Sequence, residues 1–112
     1  MEFFVARKLK FKAWNTETKL LMRLNSIDCV KGELIKKDHV LLQFTGIHDL
    51  NDEEVYDMDV LLKDSERYVI HWQSEINGWT VSLLTQKHVL HHAVNEFVKT
   101  TTRLCNYYEL KR

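Results

Sequence analysis

VLLQFTGIHDLNDEEVYDMDVLL, residues 40–62, places two apolar runs on either side of a polar segment that has little to bury. Runs rich in Val, Leu and Ile that are bounded by Asn, Asp and Gly are typical of β-strands. The stretch therefore predicts a strand over residues 39–44, a long surface loop over 46–57 and a strand over 58–62.

Toward the N-terminus, residues 8–13 alternate strictly between two kinds of side chain, as a half-buried strand does. One face carries Leu9, Phe11 and Ala13, and the other carries Lys8, Lys10 and Lys12. Asn15 and Thr16 predict a turn into a second strand over residues 19–24, so that the two strands form a hairpin. A further strand is predicted over residues 32–35.

Toward the C-terminus, Asn77-Gly78 predicts a two-residue type I′ turn, because both residues accept positive φ. The turn would join strands over residues 68–73 and 79–84. Residues 86–99 then change period and predict a helix of about three to four turns. Its apolar stripe consists of Val89, Leu90, Ala93, Val94, Phe97 and Val98. Residues 103–110 predict a last strand.

The fold class follows from this order of elements. We expect a mainly β domain, a small and partly open antiparallel barrel of about seven or eight short strands with one C-terminal amphipathic helix. The 112 residues fit one domain, 1–112, and the 45% hydrophobic and 29% charged composition is that of a globular protein.

Two separated segments of the chain resemble the YopX family, small proteins that phages and prophages encode. The first segment contributes Phe11, Ala13 and Trp14. The second contributes Gln43, Phe44, Thr45, Gly46, Asp49, Asn51, Tyr56 and Asp59. A weaker likeness lies in residues 104–110, where Cys105 replaces a usual glycine. The resemblance implies a phage or prophage accessory protein and carries no reaction with it.

Two departures from the family pattern fall on glycines. Asp52 replaces the glycine of an Asn-Gly loop, and Met58 replaces a glycine that precedes the second strand. Glycine accepts positive φ, which Asp accepts less well and Met poorly. The backbone of the loop is therefore where we expect this chain to differ from its relatives.

Charge and cysteine content restrict the classes of function. Sixteen basic residues balance sixteen acidic ones, so no net field attracts nucleic acid or an anionic membrane. Cys29 and Cys105 have no metal-binding spacing and are predicted to be reduced core thiols. Neither a signal peptide nor a membrane-spanning run is visible, so we expect a cytoplasmic protein of the bacterial host.

A basic stripe is one candidate site. Lys8, Lys10 and Lys12 with Trp14 could contact phosphates and stack a nucleic-acid base. The alternative is that the lysines protect an edge strand against aggregation, and the residues favour this alternative.

Two sets of side chains could hold a metal ion. His88, His92 and Glu96 would line one flank of the predicted helix. The loop carboxylates could instead bind Mg²⁺ or Ca²⁺ or act as an acid and base; they are Asp49, Asp52, Glu53, Glu54, Asp57 and Asp59. A solvated helix flank and a solvated acidic turn are the favoured interpretations, and no cofactor is predicted.

Six aromatic residues could line a groove for a peptide or a single nucleic-acid strand, although core packing is the favoured interpretation. They are Trp14, Tyr68, Trp72, Trp79, Tyr107 and Tyr108. The leading functional hypothesis is a non-enzymatic module that binds a protein partner or self-associates as a homo-oligomer. A nucleic-acid-binding barrel and a metal-dependent enzyme are the alternatives.

Overall fold

The computed structural model describes residues 7–87, 90–91 and 93–111, and within them the chain is mainly β, as predicted. Eleven strands follow one another along the described chain: β1 (Phe11–Asn15), β2 (Leu20–Arg23), β3 (Asp28–Val30), β4 (Glu33–Ile35), β5 (His39–His48), β6 (Glu54–Tyr56), β7 (Asp59–Lys63), β8 (Glu66–Gln73), β9 (Gly78–Leu83), β10 (Leu90–His91) and β11 (Thr102–Asn106). One sheet curls strongly into a half-barrel, which confirms the predicted class of fold. Three strands exceed the prediction, β3, β6 and β10, and each has only two or three residues.

The first sheet has the order β2-β1-β5-β6. The predicted N-terminal hairpin is confirmed by antiparallel pairing of β1 with β2. The other neighbour of β1 is β5, in a register that sets Ala13 opposite Leu41. β1 is therefore an interior strand, so the interpretation of Lys12 as protection of a sheet edge is wrong, while Lys8 and Lys10 precede the strand.

The second sheet has the order β10-β9-β8-β7-β11. Its central hairpin joins the two predicted strands, β8 and β9, in a register that sets Trp72 opposite Trp79 and Ile70 opposite Val81. A two-residue turn at Asn77-Gly78 would instead set Trp72 opposite Leu83. The predicted type I′ turn is wrong, because residues 74–77 make the connection. Ser74–Ile76 form a short 3₁₀ turn and Asn77 alone is left-handed, while Gly78 already belongs to β9.

A separate hairpin of β3 and β4 pairs with no other strand of the described chain. All six of its residues are exposed, including Val30, Leu34 and Ile35. Cys29 lies here, so the prediction of a core position for this thiol is wrong.

Residues 88, 89 and 92 lie outside the described part of the chain, and in what is described of the helix predicted over residues 86–99 only α1 (Val94–Val98) is helical. Residues 90–91 instead pair with Ser82 and Val81 of β9, since a free sheet edge offers backbone hydrogen bonds that outweigh the helical period of the side chains. The part that remains helical does reach the core: Val94 and Val98 are buried against Ile70 and Val81.

The last predicted strand, residues 103–110, ends early at Asn106 and gives way to a second helix, α2 (Tyr107–Lys111). The N–H of Tyr108 donates to Asn106 Oδ1 at 2.7 Å, and the N–H of Asn106 donates to Glu109 Oε1 at 2.9 Å. This reciprocal pair is a capping box. Both helices of the described chain are short, and neither is long and apolar enough to cross a membrane.

Candidate functional site

The segment that carries the family resemblance begins with a bulge in β5. Thr45 and Gly46 have no partners in β6, because the register passes from Phe44 opposite Tyr56 directly to Ile47 opposite Val55. The Thr45 hydroxyl donates to the Val55 carbonyl at 2.7 Å and accepts the Ile47 N–H at 3.2 Å. Gly46 adopts a φ of 85°, which explains a glycine at this position.

Asp49 organises the loop that follows. Its Oδ1 accepts the N–H groups of Asn51 and Glu53, and its Oδ2 accepts the N–H of Arg103 at 2.7 Å. Burial acts to raise the pKa of Asp49, but these three N–H groups outweigh it and hold the pKa below its ordinary value. The motif aspartate is thus a structural anchor between the loop and β11.

Asp59, the second aspartate of the motif, also binds Arg103. We call Arg103 together with its three partners, Asp49, Glu53 and Asp59, the Arg103 clamp. Asp59 is 1% exposed, and its Oδ2 accepts the Arg103 Nε–H at 3.0 Å and the Tyr56 N–H at 2.8 Å. Burial raises the pKa of Asp59 even though Arg103 opposes the rise. Glu53 adds a longer contact to Arg103 at 3.6 Å.

The two positions that depart from the family pattern keep the conformation that glycine favours. Asp52 has a φ of 62° and Met58 a φ of 68°. The backbone is therefore left-handed at both places, and a difference from the loop of the relatives stays a prediction. Both residues are strained there, because in the left-handed region a Cβ comes too close to the backbone.

The six loop carboxylates do not converge on a metal site. Among the described residues no three His, Cys, Asp or Glu side chains form a group that could hold a metal ion. Asp49 and Asp59 are buried, so the interpretation as a solvated acidic turn also fails for these two. Of the other predicted ligands, His88 and His92 lie outside the described residues, and Glu96 is exposed on α1.

The predicted nucleic-acid residues are largely engaged within the protein. Lys10 pairs with Glu54 at 2.7 Å, and Lys12 is half-buried with its ammonium 4.4 Å from the centre of the Tyr56 ring. Burial, and next the charge of Arg103, lower the pKa of Lys12. Trp14 is only 3% exposed, so the predicted unburied base-stacking surface is wrong for this ring. Lys8 is exposed, and nucleic-acid binding itself stays a prediction.

A groove of about 350 Å³ opens between the two larger sheets. We call this depression the groove. It is lined by Val40 and Leu42 of β5, Asp57 and Met58 of the β6–β7 turn, Val69, His71 and Trp72 of β8, Ser82 of β9, Lys87, and Tyr107 and Tyr108 of α2. Half of the six aromatic residues proposed from the sequence are therefore present in it. Trp14 supports the groove from behind, stacked on Tyr108 with ring centres 5.8 Å apart.

Asp57 is the acidic group of the groove, and its backbone is fixed by the two sheets. Its N–H donates to the Gln43 carbonyl at 2.8 Å, while the next N–H, of Met58, donates to the Ile70 carbonyl at 2.8 Å. Its Oδ1 is buried and has no hydrogen-bond partner among the described residues. Burial raises the pKa of Asp57 to about 6, and the N–H groups of Trp72 and Met58 offset only part of this rise.

The α2 side of the groove presents aromatic rings that already attract cations. The Lys87 and Lys111 ammonium groups each lie 4.7 Å from the centre of the Tyr107 ring. Lys87 also donates to the Tyr107 hydroxyl at 2.7 Å, and hydrogen bonds from Lys111 and Lys87 lower the pKa of Tyr107. The sequence indicates Tyr107 and Tyr108 as candidate groove residues but predicts a strand there, whereas the capping box of Asn106 and Glu109 begins a helix.

His71 faces the groove from the opposite wall. Its Nε2 lies 3.3 Å from the Thr80 hydroxyl and 3.4 Å from the Ser82 hydroxyl, which hold the imidazole against β9. The sequence marks Asp57 only as one of six loop carboxylates and does not single out His71; both line the groove because one sheet packs on the other.

Comparison with known proteins gives one family and a structural neighbour. A family model described as YopX protein matches residues 1–110. The crystal structure of protein EF1440 from Enterococcus faecalis is similar in fold, with a TM-score of 0.64 and 16% sequence identity over 96% of this chain and 98% of that chain. No curated protein matches the chain. At this level of identity the neighbour shows the fold alone.

Proposed function

The chain belongs to the YopX family, and we propose that it is a phage-type, non-enzymatic module that binds a protein partner in the groove. One observation carries this proposal. Trp72, Met58 and Tyr108 surround a carboxyl group, that of Asp57, in an open depression between two sheets. Apolar and aromatic walls with a few polar groups are typical of binding sites.

Trp72 supports the choice of the groove as the contact surface. Its side chain is 43% exposed at the mouth, although its ring edge packs against Trp79 with centres 5.2 Å apart. Tryptophan and tyrosine dominate the energetics of protein interfaces, because they bury a large area at a small cost in side-chain entropy. A partner that covers Trp72 would remove this exposed ring from water.

A non-enzymatic role is supported by the contacts of the charged side chains outside the groove. Asp49 and Asp59 hold Arg103, and Glu54 holds Lys10. These pairs join loops and strands of the fold, so their charges serve structure. The family supports a phage or prophage accessory role, and we place the partner in the cytoplasm of the bacterial host.

Peptide selection tests the proposal without knowledge of the partner. We would select twelve-residue peptides from a random library on the wild-type chain and measure the affinity of the recovered peptides for Trp72→Ala. The control is Leu50→Ala, since Leu50 is 66% exposed on the 49–53 loop and does not line the groove. We expect Trp72→Ala to weaken binding by about tenfold or more, and Leu50→Ala to leave it unchanged.

Equal affinity of the peptides for Trp72→Ala and wild type would overturn the choice of the groove. Failure to recover any peptide, together with salt-dependent binding of a single-stranded oligonucleotide, would replace the proposal by the nucleic-acid alternative. Sedimentation of the free chain as a dimer that Trp72→Ala dissociates would identify the partner as a second copy.

A further inference from the structure

We infer that the groove selects a cationic side chain, lysine or arginine, of its protein partner and anchors it on Asp57 between Trp72 and Tyr108. The inference rests on the proposed function, because it names the chemistry that the same groove recognises.

The first support is the unmatched charge of Asp57. The neighbouring loop carboxylates Asp59 and Glu54 each pair with a cation, Arg103 at 3.0 Å and Lys10 at 2.7 Å. No Lys or Arg among the described residues forms an ion pair with Asp57, and this separates it from Asp59, although the Oδ1 atoms of both are buried without a hydrogen-bond partner. A partly buried carboxylate without a cation is costly, and a ligand that supplies one recovers that cost.

The second support is the aromatic wall. A cation over the face of Trp or Tyr is attracted by the ring quadrupole, and the attraction grows when water is excluded. The ring of Tyr107 already has the ammonium groups of Lys87 and Lys111 within 4.7 Å. The rings of Trp72 and Tyr108 line the groove and have no Lys or Arg stacked on them among the described side chains. Trp14 occupies one face of the Tyr108 ring, so a cation from the partner would meet the exposed ring of Trp72 and the other face of Tyr108.

The other charged and polar groups around Asp57 set the selectivity. Asp59 of β7 adds negative charge, which raises the pKa of Asp57 further. Lys87 is the one lining cation, and its hydrogen bond to the Tyr107 hydroxyl at 2.7 Å directs it to α2. His71 is held by Thr80 and Ser82 on the far wall. The Asp57 side of the groove is thus acidic and the Lys87 side basic, which fits an extended segment with a cation at one end.

A double-mutant cycle tests the inference. Each basic residue of a selected peptide would be replaced by citrulline, which has the shape of arginine without its charge, and the affinities measured for wild type and Asp57→Asn. We expect citrulline at one position to weaken binding to wild type by about tenfold, and to weaken binding to Asp57→Asn by less than about twofold. An equal loss on both proteins would overturn the inference.

A second measurement separates this inference from the proposed function. N-acetylarginine amide and N-acetylcitrulline amide would be titrated into the labelled protein while the amide signals of Asp57, Met58 and Trp72 are followed. We expect shifts with the arginine compound alone, and none for Asp57→Asn. Selected peptides that need Trp72 but contain no basic residue would leave the groove as a binding site and overturn its preference for cations.

Discussion

Asp59 and Asp57 lie on either side of Met58, yet they belong to two differently built regions. Asp59 belongs to the Arg103 clamp, where a guanidinium and a backbone N–H meet one carboxylate oxygen. Asp57 faces the groove, where no cation of the described chain pairs with it. The family motif supplies the clamp residues Asp49 and Asp59, while Asp57, His71 and Trp72 of the groove are not motif residues. The motif aspartates therefore hold the fold together, and the proposed binding surface lies beside them.

Breaking the clamp should have the largest effect on stability. In Arg103→Ala, Asp59 stays buried without its cation, and we expect the free energy of unfolding to fall by about 3–5 kcal/mol in urea denaturation. The double variant Asp59→Asn/Arg103→Met removes both charges, so its free energy of unfolding should fall by less than that of Arg103→Ala. A loss below about 1 kcal/mol for Arg103→Ala would contradict a structural role for the clamp.

Removing the carboxylate of Asp57 from the groove should make the protein more stable, in contrast to breaking the clamp. The pKa of Asp57 is raised in the folded chain to about 6, from 3.8. Because the folded chain holds this proton more tightly than the unfolded chain does, the free energy of unfolding falls as pH rises from about 4 to about 6. We expect Asp57→Asn to raise the free energy of unfolding at pH 7 by about 1–2 kcal/mol, since the half-open groove screens part of the charge.

The check is urea denaturation of wild type and Asp57→Asn at pH 4 and pH 7. The stability gain of the variant should be present at pH 7 and shrink at pH 4, where wild-type Asp57 is protonated. Glu17→Gln, in the exposed β1–β2 turn, is the control for loss of one carboxylate. A destabilised Asp57→Asn at pH 7 would show that the carboxylate has a partner in the free protein.

The capping box links the fold to the groove, because it directs Tyr107 and Tyr108. Asn106→Ala removes the side-chain acceptor of the Tyr108 N–H, and we expect a loss of about 1 kcal/mol in thermal or urea unfolding. Asn106→Ser keeps a neutral side-chain acceptor at this buried position and is the control. Peptide affinity should fall with Asn106→Ala and less with Asn106→Ser. Unchanged affinity for Asn106→Ala would separate α2 from the binding surface.

The smallest effect is expected at the left-handed turn of the motif loop. Asp52 has a φ of 62°, so Asp52→Gly should relieve crowding at the Cβ and raise the free energy of unfolding by about 0.5 kcal/mol. Asp52→Ala keeps the Cβ while it removes the charge, and it should be less stable than Asp52→Gly. Greater stability of the alanine variant would show that the carboxylate, and not the backbone, sets the cost.

The longer strands were predictable because alternation and turn residues act locally; the strands predicted over residues 68–73 and 79–84, for example, correspond to β8 and β9. Their register was not predictable, because residues 74–77 make the connection and set Trp72 opposite Trp79. The sequence wrongly predicts a helix over residues 86–99, because it does not show that residues 90–91 pair with β9, which is a tertiary effect. The groove lay beyond sequence reasoning for a related reason: Asp57 and Tyr108 are 51 positions apart by their numbers and meet only when α2 packs over the sheets.

Chemical-shift mapping of the wild-type chain with a selected peptide tests the central claim most directly, because it reports both regions in one titration. The account predicts that the largest amide shifts lie at Asp57, Met58, Trp72 and Tyr108, while those of residues 49–53 in the clamp loop stay small. Shifts concentrated in residues 49–53, with the groove amides unmoved, would contradict it and place binding on the family motif.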